Sequence, residues 1–187
     1  WKILDAQYHG VPQERLRLIM VALLDPKRPF SWPKPSGKVS LADILDPFNA
    51  ATDMPLRMPK GDRPKKLMSN ACKGAVAAGV DPKKVPVAID IDCSERYSTY
   101  GINIAKTLTR TRGGSGGPWI SSRGRRSSVN EMLKMQGFDP LEVPWKAAGL
   151  SKPQIGQLLG NAVPVPMIGK VLAEAMYSAG VVATKPV

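Results

Sequence analysis

Two arginines and a glutamine alternate in a short stretch near the start of the chain, at Gln13, Arg15 and Arg17. Because successive side chains of an extended backbone point to opposite faces, this spacing predicts that the three share one face. Two guanidinium groups and an amide form a donor array that can bind phosphate or the edge of a base. The same pattern is also typical of an edge strand with solvated arginines, since arginine is mostly exposed.

The elements that would position this array are two predicted strands. The stretch leads into seven unbroken apolar residues, Leu18 to Leu24, which predict a strand buried on both faces. Residues 1–6 also have the composition of a strand, and the glycine and proline at 10–12 predict a turn. We therefore expect residues 1–6 and 16–24 to pair as antiparallel neighbours.

The composition bounds the kind of protein. Lys and Arg number 27 against 15 acidic residues, a net charge of +12, which favours a polyanionic partner, most often nucleic acid. Cys72, Cys93 and the single histidine, His9, are a poor ligand set, so we expect no metal site. No apolar run approaches the roughly 18 residues of a membrane span, and no signal peptide is visible. We expect an intracellular protein with no membrane partner.

A second basic region lies in the middle of the chain. Five arginines fall between Arg110 and Arg126, mixed with threonines and preceded by Tyr100. Arginine can fork onto guanine or phosphate, and Thr and Tyr can meet base edges or backbone. Alternation predicts an extended segment at 107–112, and we expect the glycine-rich loop at 113–117 to order on a partner. A solvated, partly disordered loop is the alternative.

Several helices are signalled by their ends. The composition predicts a helix over 67–79, which ends at a glycine, and a strand over 85–91. Ser128 and Ser151 each begin a capping box, with Glu or Gln three residues later. The apolar spacing after the Gly-Asn turn at 160–161 predicts a closing helix over 167–176.

Taken in order, these features resemble the C-terminal portion of a DNA cytosine-5 methyltransferase. Gln13, Arg15 and Arg17 match the family's eighth motif, and residues 95–99 with Thr107-Leu108 resemble its target recognition region. Residues 125–138 resemble the ninth motif, and residues 160–165 resemble the tenth. The resemblance covers nearly the whole chain.

The resemblance implies an enzyme that acts on double-stranded DNA with S-adenosylmethionine as cofactor. In that reaction a cysteine adds to C6 of a cytosine flipped out of the duplex, and C5 is then methylated. Arg17 would face the cytosine and hold charge that develops on the ring; Arg15 would support the pocket and a nearby phosphate, and Gln13 would orient both. The residues expected in the cofactor pocket are Asn161, Ala162 and Val163. The residues expected to contact DNA are Tyr100, Thr107, Leu108, Arg110, Arg112 and Arg123.

The resemblance also implies the architecture. It predicts an α/β fold, the C-terminal part of a Rossmann-like S-adenosylmethionine-dependent core with an inserted, strand-rich target recognition lobe. Residues 1–24 and 128–187 would form the partial catalytic domain. Residues 30–126 would form the recognition domain, separating the two core pieces in sequence but not in space.

The departures from the family concern the nucleophile and part of the cofactor site. The family's nucleophile lies in a Pro-Cys pair, but Cys72 follows Ala71 and Cys93 follows Asp92. The glycine-rich cofactor loop and the Glu-Asn-Val sequence of the catalytic glutamate are absent too. We therefore expect the isolated chain to be inactive.

Three hypotheses follow from these departures. The first, favoured by the absence of an initial Met, is a fragment whose N-terminal catalytic half is missing. The second is the DNA-reading subunit of a naturally split enzyme, with that half supplied in trans. The third is a non-enzymatic basic nucleic-acid-binding protein. The enzyme would act in the nucleus of a eukaryote, or in the cytoplasm or nucleoid of a bacterium.

Overall fold

The computed structural model describes residues 1–184 and residue 186. Its helices and strands are, in chain order, β1 (Lys2–Asp5), β2 (Leu16–Ile19), α1 (Leu41–Ile44), α2 (Asp62–Ala77), β3 (Val87–Ile89), β4 (Tyr100–Ile102), α3 (Arg110–Gly114), β5 (Trp119–Ile120), β6 (Arg125–Arg126), α4 (Val129–Met135), α5 (Lys152–Asn161) and α6 (Val165–Ser178). The predicted mixture of helices and strands is confirmed, with the strands gathered in two small sheets.

The first sheet is the antiparallel hairpin of β1 and β2, in which Lys2 pairs with Ile19. This pairing was predicted, but the prediction that residues 18–24 form a strand buried on both faces is wrong. β2 ends at Ile19, and Leu18 and Leu24 are 56% and 92% exposed. The physical reason is that α6 covers only one face of the hairpin, where Leu4 packs with Met167.

The second sheet has four antiparallel strands in the order β4-β3-β5-β6. Its central strand β3 is buried, and Val87 and Ile89 pack against Met68 and Ala71 of α2. This strand is shorter than the predicted 85–91. The predicted helix over 67–79 is confirmed as α2, although it begins five residues earlier, since Pro64 falls in its first turn where proline is tolerated.

A short helix replaces the predicted extended segment at 107–112. Thr109 caps α3, which includes Gly113 and Gly114, and α3 packs closely against α5. A Cβ atom on Gly113 would lie 1.9 Å from the carbonyl oxygen of Gly156, and one on Gly156 would lie 2.1 Å from that of Gly113. These glycines therefore allow two helix backbones to touch, rather than leaving a loop that orders on a partner.

Both predicted capping boxes are confirmed. Ser128 Oγ accepts from the backbone N–H of Glu131 at 3.0 Å, and Glu131 Oε2 accepts from the N–H of Ser128 at 2.7 Å. Ser151 and Gln154 make the same reciprocal pair at the start of α5. The closing helix α6 is confirmed, but it begins two residues earlier than predicted, at Val165.

The described residues contain neither a membrane-spanning helix nor a cluster of metal-ligating side chains. No helix within 1–184 has the length and apolarity to cross a membrane. Within the same residues, no three His, Cys, Asp or Glu side chains are grouped so that they could hold a metal ion.

Candidate functional site

A buried guanidinium joins three distant segments of the chain. Arg15 is 1% exposed. Its Nη1 donates to the carbonyl oxygen of Leu108 at 2.6 Å, and its Nη2 donates to those of Gly160 at 3.0 Å and Ala162 at 2.6 Å. Arg15 therefore ties the hairpin to the segment before α3 and to the turn that ends α5.

The environment of Arg15 disfavours its charge without removing it. Burial, and secondarily the positive charge of Arg17 nearby, lower the pKa of Arg15 to about 10, so the guanidinium stays protonated at neutral pH. A side chain this deeply enclosed leaves no room for the DNA phosphate contact that the resemblance implied. Its geometry instead suits a positioning role.

Gln13 lies beside Arg15 and is fully buried. Its Oε1 accepts from Arg15 Nη1 and from Gln136 Nε2, both at 3.4 Å. Gln136 also donates to the carbonyl oxygen of Leu159 at 3.1 Å. Gln136 was not among the predicted site residues, although it lies in the Gln-Gly-Phe sequence that resembles the ninth motif.

The hairpin is also joined to the segment that precedes α3. Ala105 N donates to Pro12 O at 2.8 Å, and Glu14 N donates to Ala105 O at 2.9 Å. The hydroxyl of Thr107 donates to Glu14 O at 2.8 Å, and Lys106 pairs with the Glu14 carboxylate at 2.5 Å. A shift of residues 105–108 would therefore move both the hairpin backbone beside Arg15 and the Leu108 carbonyl oxygen to which Arg15 donates.

A concave cleft of about 770 Å³ lies between the hairpin and this segment. Of the residues expected to contact DNA, Thr107, Leu108 and Arg112 line it. Arg17 does not line this cleft, since alternation along β2 places it on the face opposite Leu16. It is partly exposed, and its Nη1 donates to the neighbouring carbonyl oxygen of Leu16 at 2.7 Å.

Two of the other expected DNA contacts are engaged within the protein. Tyr100 packs against the core formed by α2 and β3, with its hydroxyl close to Gly74. Arg123 is 3.4 Å from the buried carboxylate of Asp53, and its side chain is only 19% exposed. Arg110 is exposed and forms no salt bridge within the described residues.

Asp53 belongs to a buried charge network that stabilises the start of α4. Burial alone would raise its pKa, but hydrogen bonds from the Arg125 side chain and the Asn49 backbone hold the pKa of Asp53 below its ordinary value. Arg125 also binds Glu131 through two hydrogen bonds, of 2.9 and 3.0 Å. These contacts raise the pKa of Arg125, mainly through Glu131. The arginines at 123–125 thus have structural partners, which composition alone could not reveal.

The turn at the end of α5 presents the predicted cofactor residues. Asn161 is exposed, and its side-chain amide has no hydrogen bond within the part of the chain that the structure describes. The carbonyl oxygen of Ala162 accepts from Arg15. Val163 packs beside Met167 in the core under the hairpin. An available amide beside an apolar wall fits a ligand that has both polar and apolar parts.

Neither cysteine has the setting of a nucleophile. Cys72 packs against the core of α2 and β3, and burial raises the pKa of its thiol, which disfavours the reactive thiolate. Cys93 is 6% exposed, with Sγ 3.0 Å from the carbonyl oxygen of Asp90.

Comparison with known proteins identifies the class to which this arrangement belongs. The family of C-5 cytosine-specific DNA methylases matches residues 1–177, and the chain belongs to this family. The resemblance inferred from the motifs is thereby confirmed. The chain is also 28% identical over 188 residues to the type II methyltransferase M.HaeII of Haemophilus aegyptius. That alignment covers all of this chain and 52% of the relative, so the chain spans about half the length of the curated relative that it matches.

Proposed function

We propose that this chain is the C-terminal part of a DNA cytosine-5 methyltransferase. It would read the DNA target and complete the cytosine and S-adenosylmethionine pockets, while an N-terminal half supplies the cysteine. The observation that carries the proposal is the contact of Arg15 with Leu108, Gly160 and Ala162. One buried side chain thus links the eighth motif, the recognition segment and the tenth motif.

The proposed architecture keeps the predicted division. Residues 1–24 and 128–187 would form part of a Rossmann-like catalytic core, and residues 30–126 an inserted recognition lobe. The exposed apolar face of the hairpin supports this, since Ile3, Leu18 and Met20 are 56%, 56% and 76% exposed. The sheets of such cores are covered on both faces, so the missing half would pack here.

Within the site, the three residues of the eighth motif would have different roles. Cytosine must leave the base stack before its ring carbons can be reached. Arg17 is partly exposed, and among the residues that the structure describes its side chain bonds only the carbonyl oxygen of Leu16. It would donate to the flipped base and stabilise negative charge that develops on its ring. Arg15 and Gln13, both enclosed, would be positioning residues.

The cofactor residues fit S-adenosylmethionine at one end of the site. This cofactor would supply the methyl group when it is bound. The amide of Asn161 could hydrogen-bond its polar atoms, and Ala162 and Val163 would form an apolar wall. Because Arg15 binds Ala162 O, the position of this turn would depend on the same side chain that orders the cytosine side.

Methyl transfer tests the proposal. The chain would be assayed with radiolabelled S-adenosylmethionine and duplex DNA, alone and mixed with an N-terminal half that contains the Pro-Cys pair. That half would come from the coding DNA upstream of Trp1. We expect activity only in the mixture with its native half; no gain from that half would favour a non-enzymatic DNA-binding protein.

Arg17→Ala, compared with Arg63→Ala as a charge-matched control on the exposed side of α2, tests the role of Arg17. We expect Arg17→Ala to lower the methylation rate by about 100-fold or more, as loss of a transition-state donor does. DNA affinity should change little. An equal fall in rate and affinity would contradict the placement of Arg17 at the cytosine.

A further inference from the structure

Arg112 and Asp90 form an ion pair in the wall of the cleft. Nε of Arg112 donates to Oδ2 of Asp90 at 2.7 Å. Both residues line the cleft, and their side chains are 31% and 22% exposed. Solvent, and therefore a ligand in the cleft, can reach both members of the pair.

The pair is held from both sides. Oδ1 of Asp90 accepts from the backbone N–H of Asp92 at 3.0 Å, and Asp90 N donates to Thr99 O at 3.0 Å. Asp90 is thus fixed at the end of β3 with one carboxylate oxygen left for Arg112. Arg112 is carried by α3, which is fixed on α5 by the contact of Gly113 with Gly156.

The contact through Nε leaves the far end of the guanidinium available. Within residues 1–184 neither Nη of Arg112 makes a hydrogen bond. An arginine held in this way offers two parallel N–H groups at a defined angle. Guanine presents two acceptors, O6 and N7, at matching spacing in the major groove.

We propose that Arg112 reads a guanine in the DNA target and that Asp90 is the positioning residue that aims it. This inference rests on the proposed DNA-recognition function and adds a specific base. It makes Asp90 a determinant of sequence choice, although its own carboxylate does not touch the DNA.

The charge of the cleft favours a base edge over a phosphate. Three carboxylates line it, those of Asp5, Glu14 and Asp90, against two cations, Lys106 and Arg112. Both cations are already paired, Lys106 with Glu14 and Arg112 with Asp90. A phosphate that approached Arg112 would meet the Asp90 carboxylate, whereas the neutral edge of guanine would not be repelled.

Selection from a random duplex library, followed by affinity measurements, tests the proposal. The 187-residue chain would be compared with Arg112→Lys, which keeps the charge but replaces the planar guanidinium with a flexible ammonium, and with Asp90→Asn. In Asp90→Asn the amide oxygen can still accept from Asp92 N, but the amide nitrogen cannot accept from Arg112. Arg126→Lys is the matched control, because Arg126 is paired with Asp92 and is not among the residues that line the cleft.

We expect the wild-type chain and the Arg126→Lys control to select a site with one invariant guanine. Replacing that guanine by 7-deazaguanine, which lacks the N7 acceptor, should weaken their binding about fivefold or more. Arg112→Lys and Asp90→Asn should each lose most of the difference, because a flexible ammonium, or a guanidinium without its carboxylate partner, is no longer held at the guanine edge. A purely structural role would lower affinity for both duplexes and leave their ratio unchanged.

The outcomes separate this inference from the proposed function. If the chain does not bind DNA, its role in target recognition fails. If it binds DNA but Arg112→Lys and Asp90→Asn keep the wild-type preference for guanine over 7-deazaguanine, the inference is overturned and the proposed function stands. Because Asp90→Asn changes only one atom group, it decides the matter even if Arg112→Lys does not fold.

Discussion

Replacing Arg15 by methionine should destabilise the protein severely, because the guanidinium donates to three carbonyl groups in contacts that are buried at Leu108 and Gly160 and partly buried at Ala162. Methionine has a similar length and can fill much of the same space, but it donates no hydrogen bond. The change would leave the carbonyl oxygens of Leu108, Gly160 and Ala162 without their donor. It would also release the turn that holds the predicted cofactor residues from the hairpin.

The magnitude follows from two opposing contributions. Hydrogen bonds to a charged group contribute about 1.5–3 kcal/mol each, so the three contacts of Arg15 sum to about 5–9 kcal/mol. Against this, the fall in its pKa from 12.5 to about 10 corresponds to about 3 kcal/mol of unfavourable burial and repulsion. The balance is about 2–6 kcal/mol, an interval that contains the loss of about 3–5 kcal/mol typical of removing one partner of a buried charged pair.

Urea unfolding of the 187-residue chain, followed by tryptophan fluorescence, measures this free energy. Arg15→Met should lower the free energy of unfolding by about 3–5 kcal/mol. Arg17→Met is the matched control and should cost less than about 1 kcal/mol, since the hydrogen bond of Arg17 to the carbonyl oxygen of Leu16 is exposed. Arg15→Lys should recover only part of the loss, because an ammonium does not reproduce the planar fork. Equal effects of Arg15→Met and Arg17→Met would refute the assignment of Arg15 as the link between the segments.

Three further predictions test other parts of the structure. Gly156→Ala should destabilise by about 1–3 kcal/mol or more, because the added carbon would meet the backbone of Gly113; Gly169→Ala on α6 meets no atom within 4 Å and should stabilise by about 0.5–1 kcal/mol. Burial, and then the charge of Lys170, lower the pKa of His9, so the unfolded chain takes up a proton below about pH 6.5 that the folded chain does not. The free energy of unfolding should fall as the pH decreases through that range, less steeply in His9→Gln, and parallel curves would exclude His9 as the cause. Arg110→Ala should weaken DNA binding and reduce its salt dependence by about one released ion, whereas an unchanged salt slope would assign Arg110 to a solvated surface.

The sequence predicted best what neighbouring residues determine. The two capping boxes, the glycine after α2 and the antiparallel hairpin each depend on residues a few positions apart, and all were confirmed. The family was also predictable, because the order of its motifs is a property of the sequence. None of these features requires knowledge of what packs against them.

The sequence failed where burial depends on the rest of the fold. The apolar residues 18–24 were expected to be buried on both faces. An apolar run indicates that burial is favourable, but it does not show whether another part of the same chain packs against it. The glycines at 113–117 were interpreted as flexible. The four-residue spacing of Gly156 and Gly160 on α5 would have been the signal for close helix packing, since Gly156 meets Gly113 and Gly160 meets the backbone of Thr109 and Arg110. That signal lies about 40 residues further along the chain.

The charges show the same limit at the site itself. A net charge of +12 predicts a polyanion partner, yet the two cations that line the cleft are paired with carboxylates. In the net charge each of these carboxylates only lowers the total by one, whatever its position. Pairing changes what a cation can do, since Arg112 with Asp90 is oriented rather than available to any phosphate. A basic composition thus indicates the class of partner, and in the proposed interface the placement of the acidic residues would decide which arginines discriminate between bases. Asp62 is far more exposed than Asp90. Asp90→Asn should therefore alter the DNA sequence preference more than Asp62→Asn does, although both substitutions raise the net charge by one.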